Sequence, residues 1–135
     1  MKILVSVFNN LYTDQRVEKF CKTLYENAYQ IEVIGNNWGG NPDMKRPYPF
    51  SRISLQSKKL RFAYLEFQWK LFLVLLKKAD RNTILHANDL DALLPNYLVS
   101  KIKGIPLVWD SHEIFTEMPT VTNRWVQHVW RLLEK

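Results

Sequence analysis

The sequence predicts an α/β domain: an open, all-parallel sheet with strand order 3-2-1-4-5, flanked by helices. Two observations predict it. Short apolar runs alternate with longer stretches at helical spacing, the pattern of right-handed β-α-β crossovers. Two of those runs then break at their carboxyl ends into dense polarity, as His86-Ala87-Asn88-Asp89 and as Trp109-Asp110-Ser111-His112-Glu113. Buried parallel strands read as short apolar runs, and ligands of open α/β sheets bind just beyond the carboxyl ends of the strands.

Taken in order, residues 2–8 (KILVSVF) predict a central buried strand, and Asn9, Asn10, Leu11 and Tyr12 a loop. Neither GxGxxG nor GxxxxGK[ST] follows this strand, which weighs against a dinucleotide-binding or P-loop protein. Thr13 is placed to cap the next helix, with Asp14 in its first turn, where negative charge suits the helix dipole. Val17, Phe20, Cys21, Leu24, Tyr25 and Ala28 follow as one apolar stripe. Arg16 lies off that stripe, near the end of the first strand. It is either an ordinary surface arginine or a site residue for an anionic group.

Residues 30–35 predict the second strand, and 36–49, rich in Asn, Gly and Pro, a long loop. Residues 50–55 alternate as a third, edge strand. The helix expected over 60–79 is apolar almost all round. Its longest uninterrupted apolar run, 71–76, is far short of the roughly 20 residues a membrane-spanning helix needs. Its apolar surface exceeds what one sheet-facing stripe can use, which points to a membrane surface or another domain. Residues 83–87 form the fourth strand. Asn88 or Asp89 is placed to cap a helix over 90–103, with Gly104 beyond its end. The fifth strand spans 106–110. Residues 114–122 read as irregular, and 123–135 as an amphipathic helix with Trp125, Val126, Val129, Trp130, Leu132 and Leu133 inward. No closing strand follows.

The order 3-2-1-4-5 makes the first and fourth strands neighbours at the point where the order reverses. Asn9 and Asn10, the cluster at 86–89 and the cluster at 110–113 converge there. Helix capping and turn chemistry compete with a binding role for each residue, since Asn, Asp and Ser do both. His86 stands open between a site residue and a hydrogen-bonded histidine at a strand end.

A chain of 135 residues with 47% hydrophobic content suits one globular domain, 1–135. The single cysteine, Cys21, excludes an internal disulfide; on an apolar helix face it reads as a buried thiol in a reducing compartment, hence cytoplasmic. The apolar part of the N-terminus is too short for a signal peptide. No metal-ligand spacing of Cys and His occurs, and no cofactor is expected. Net charge is +6, but residues 44–81 carry ten Lys or Arg against two acids, so the basic charge is local. Lys58, Lys59, Arg61, Lys70, Lys77 and Lys78 are therefore expected either to dock an anionic bilayer peripherally or to form a solvated rim around a core helix. Nucleic acid is not expected as a partner, because the aromatic residues of this block have core spacing and no recognition motif appears.

Asp14-x-Arg16-Val17, residues 24–33, and the two clusters at 86–89 and 110–113 together resemble the N-terminal, acceptor-side domain of family 4 GT-B glycosyltransferases. That retaining group includes many bacterial polysaccharide enzymes. The resemblance covers nearly the whole chain. Its most specific part is the second cluster, trailed by Phe115-Thr116-Glu117. It implies a Rossmann-like half that holds a glycan or lipid-linked acceptor, facing a second half that holds the nucleotide-sugar. By that resemblance His112 is the catalytic residue, reaching the cleft near the transferred sugar to position groups rather than to shuttle protons. Asn9, Asn10, Asp14, Arg16, His86, Asn88, Asp89, Asp110 and Glu113 are the substrate-binding set, with the first loop bordering the donor phosphates. The sequence departs from the family in having Asn9 and Asn10 where many relatives have glycines, and in lacking the C-terminal donor domain with its Glu-containing motif. The expectation is a chain inactive alone, with weak self-association through the last helix or the cleft face. The alternative is a non-catalytic α/β module that binds an anionic ligand.

Overall fold

In the computed structural model, which describes residues 1–12, 14–37 and 43–110, strand β1 (Lys2–Asn10) runs through the centre of a five-stranded sheet. Around it lie β2 (Gln30–Asn36), β3 (Phe50–Ile53), β4 (Thr83–Asn88) and β5 (Leu107–Asp110). Every pairing is parallel and the order is β3-β2-β1-β4-β5, as the alternation of runs predicts. Side chains alternate across the sheet. Leu4, Ile34, Leu85 and Ala87 pack on one face with Phe67, Leu71 and Leu75 of helix α2 (Leu60–Lys78) and Val99 of helix α3 (Leu93–Lys103). Val5, Val7, Ile31 and Val33 pack on the other with Val17 and Cys21 of helix α1 (Gln15–Glu26). Cover on both faces is the reason the central strands read as continuous apolar runs. Burial, with the Asp14 carboxylate adding to it, pushes the Cys21 thiol up to about 12, so it stays protonated at neutral pH.

Four local features differ from the sequence expectations. Asn9 and Asn10 belong to β1 rather than to a loop. After a register shift beyond Ser6, Asn10 pairs with Asn36 of β2. Gly35 permits this close approach: a Cβ there would lie 2.4 Å from the Leu11 Cγ and 2.9 Å from the Asn9 carbonyl oxygen. Secondly, α1 is capped by Asp14, whose carboxylate accepts the Val17 N–H at 3.0 Å; Thr13 lies outside the described residues. Thirdly, the stretch 90–103 divides into a 3-10 turn (Leu90–Ala92) and α3. The Pro95 ring would clash with the Asp91 carbonyl if one α-helix ran through both. Finally, neither Asn88 nor Asp89 caps this segment through its side chain. Gly104 closes α3 in the left-handed conformation, as expected, and Ala28 closes α1 in the same conformation, each with φ 65°. The segments expected over 114–122 and 123–135 lie outside the described residues.

Candidate functional site at the carboxyl edge of the sheet

β1 and β4 pair from Lys2↔Thr83 to Ser6↔Ala87 and then separate. The split is where the strand order reverses, and polar side chains fill it. The Asn88 amide donates to the Ser6 carbonyl at 3.3 Å. A carbonyl only accepts, so this bond fixes the orientation of the amide. The same Nδ2 lies 3.4 Å from Nδ1 of His86, which must then accept, leaving the imidazole proton on Nε2. The His86 ring is only 7% exposed and lies 4.7 Å from the Phe20 ring of α1. Burial lowers its pKa; the neighbouring Asp110 carboxylate opposes this and the Arg16 guanidinium reinforces it, so the imidazole is neutral at pH 7. Below the split, Asn96 donates to the Ser6 hydroxyl at 2.6 Å and to the Ala92 carbonyl, tying α3 to the middle of β1.

Arg16 reaches from the first turn of α1 to Asp89, just beyond β4, with Nη2 to Oδ2 at 2.8 Å. Both side chains are about a third exposed. Nη1 of Arg16 is shut off from solvent and has no hydrogen-bond partner among the described residues. Asp89 holds φ 61° and ψ 173°, a conformation that glycine alone enters freely. Its N–H donates to the Asp110 carbonyl at 2.8 Å, continuing the β4–β5 pairing in which Asn88 faces Asp110. Two residues on, burial pushes the Asp91 carboxyl up to about 6, with the Asp89 charge adding to it.

The β1–α1 connection uses its polar groups differently. The Asp14 carboxylate accepts the Asn9 amide at 2.7 Å as well as the Val17 N–H. The Asn10 Oδ1 accepts the Tyr12 N–H at 3.1 Å, an Asx turn.

The tertiary structure thus brings Arg16, His86, Asn88, Asp89 and Asp110 to one place. It puts Asn9, Asn10 and Asp14 in the adjoining turn. His112 and Glu113 lie outside the described residues. Sequence reasoning did not single out Ser6, Asn96, Asp91 or the role of Phe20. Ser6 had a signal, as the one polar residue inside the apolar run 3–8, and Asp91 stands two positions after Asp89. Asn96 and Phe20 read as ordinary helix residues. Among the described residues no cluster of His, Cys, Asp or Glu has the arrangement to hold a metal ion.

No family model matches the chain, and no curated protein matches it. Among solved structures it is similar to the UDP-GlcNAc 2-epimerase from Methanocaldococcus jannaschii, with a TM-score of 0.51 and 12% identity. The fold is GT-B-like. The match covers 98% of this chain and 36% of the epimerase, so the chain spans little more than a third of that protein's length. At this identity the likeness speaks for the fold and not for family 4 glycosyltransferases in particular. No helix among the described residues is long and apolar enough to cross a membrane.

Proposed function

We propose that this chain is the acceptor-side half of a retaining sugar transferase that uses a nucleotide-sugar donor and a glycan or lipid-linked acceptor. The observation that carries the reading is Arg16. Its guanidinium is drawn across the split between β1 and β4 onto Asp89, and about a third of the side chain stays exposed there. A planar, partly exposed cation at the switch point of a parallel sheet suits a phosphate or carboxylate group of a sugar ligand. The strained backbone of Asp89 belongs to the same spot, and such strain concentrates at ligand sites. The GT-B-like fold and the resemblance of the two polar clusters support the sugar-transfer class. His112 is assigned the positioning of the transferred sugar, with Asn88, Asp89, Asp110 and Glu113 on the acceptor wall.

Transfer requires donor and acceptor to be held together. Alone, the chain is expected to bind a phosphorylated sugar acceptor weakly, to lose that binding in Arg16→Gln, and to turn over no nucleotide-sugar. Supplying a donor-binding half, in cis or as a separate chain, gives transfer that falls in His112→Ala. Turnover by the purified 135-residue chain that is abolished in His112→Ala overturns the reading. One observation favours the non-catalytic module: His86, the one described histidine of the crevice, is neutral and sealed under Phe20. Arg16-dependent ligand binding with no transfer alongside any donor half identifies that case.

A further inference from the structure

Helix α2 turns its Ala63, Phe67, Leu71 and Leu75 face to the sheet, yet the opposite face is apolar too. Leu65, Trp69 and Leu73 recur there at four-residue spacing, and Leu65 and Trp69 are each 63% exposed. The same spacing puts Arg61 before them and Lys77 after them, so the exposed stripe is apolar in the middle and cationic at both ends. α3 lies alongside and adds Leu98 and Ile102, the latter 64% exposed. Between the helices runs a groove of about 440 Å³ lined by Leu65, Trp69, Phe72, Leu94, Pro95 and Leu98, with Gln68 its one polar side chain. This face lies on the outside of the helical layer, turned away from the sheet.

We infer that this α2–α3 face is a docking surface for a bilayer containing anionic lipid. Charge decides the occupant. The one acid of α2, Glu66, is engaged by Lys70 and by the N–H groups of Gln56 and Ser57, and α3 has no acid. Arg61, Lys77 and Lys101 are exposed around the apolar stripe, and the Arg61 and Lys101 cations lie over the Phe62 and Tyr97 rings. A second copy placed on this face would bring like charges together. A nucleic acid would meet an apolar centre. A lipid surface offers acyl chains to Trp69 and its neighbours and anionic headgroups to the rim, the arrangement of an interfacial helix. The structure also divides the lysines expected to take part. Lys70 is held by Glu66 and the Ser54 carbonyl, and Lys78 by Glu32, so neither belongs to the rim. The inference does not depend on the transferase reading.

The experiment is flotation of the full chain with phosphatidylcholine vesicles, with and without phosphatidylglycerol, over a range of salt. Binding is expected only with phosphatidylglycerol, weakening as salt rises. Each of Arg61→Gln and Lys77→Gln is expected to lower the partition coefficient about fivefold, and Trp69→Ser to lower it further at unchanged thermal stability. Lys78→Gln, whose ammonium faces Glu32, is expected to leave binding unchanged. No flotation with either vesicle overturns the inference, as does equal flotation with both. A concentration-dependent dimer that Trp69→Ser returns to monomer, without lipid binding, assigns the face to a second copy. Sugar and phosphate binding in the Arg16→Gln test is measured without lipid, so failure of one inference leaves the other standing.

Discussion

Asp89 occupies a backbone conformation that costs on the order of 1–3 kcal/mol in a residue with a Cβ. The surrounding contacts impose it: the N–H is held by Asp110 and the carboxylate by Arg16. Asp89→Gly and Asp89→Ala both lose the ion pair, but only glycine adopts the backbone without strain. Urea unfolding should find the glycine variant more stable than the alanine variant by about 1–2 kcal/mol. Equal stabilities would show that the backbone relaxes freely there. Asp91 gives a second test. Its pKa is raised to about 6, so the fold favours the protonated form. That preference contributes stability below the unfolded pKa and is lost as pH rises through about 6. Asp91→Asn should therefore raise stability by about 1–2 kcal/mol at neutral pH and change little below about pH 4.

Helix ends and strand contacts rest on single small residues. α1 and α3 both end in the left-handed conformation, one at Ala28 and one at Gly104. The C-terminal bonds are of the same kind: Tyr29 N–H to Leu24 O after α1, and Ile105 N–H to Ser100 O after α3, each spanning five residues. Only the side chain differs, so the two substitutions have opposite signs. Ala28→Gly should stabilise by about 1 kcal/mol and Gly104→Ala should destabilise by about the same, read from denaturant midpoints. Gly35 answers to packing instead. Its Cα faces the Leu11 side chain, and an added methyl would overlap the Leu11 Cγ. Gly35→Ala is expected to cost about 1–3 kcal/mol. Adding Leu11→Ala should cost less in the Gly35→Ala background than in the parent, a coupling that a double-mutant cycle measures.

Across the whole molecule, two buried titrating groups pull stability in opposite directions. Burial lowers the His86 pKa, so the fold favours the neutral ring. The stability this contributes is present above the unfolded pKa of about 6.5 and is lost as pH falls through the depressed folded value. The Asp91 contribution runs the other way over an overlapping range. The parent chain is expected to show a shallow dependence as pH falls below about 6.5, where the two contributions oppose. With Asp91→Asn the His86 contribution is left unopposed, and the urea midpoint should fall on acidification below about pH 6.5. A midpoint that stays flat in the variant would show that His86 is not held neutral by the fold.

The sequence by itself determined the parallel sheet, its order and the edge at which the cluster at 86–89 and Asp110 lie. Those features follow from local pattern: a strand covered on both faces must be apolar along its length, and short runs joined by helices cross over with one hand. The split between β1 and β4, beside which the cluster at 86–89 and Asp110 lie, was legible on those grounds. Only the tertiary structure decided how each polar group there is used. Asp14 closes the start of α1, Asn88 bridges to Ser6 and His86, and Phe20 covers the imidazole. Arg16 finds Asp89 at 73 residues' separation and Asn96 finds Ser6 at 90. Composition and spacing carry no record of such pairs, because a hydrogen bond depends on which groups the packed backbone sets within about 3 Å of each other.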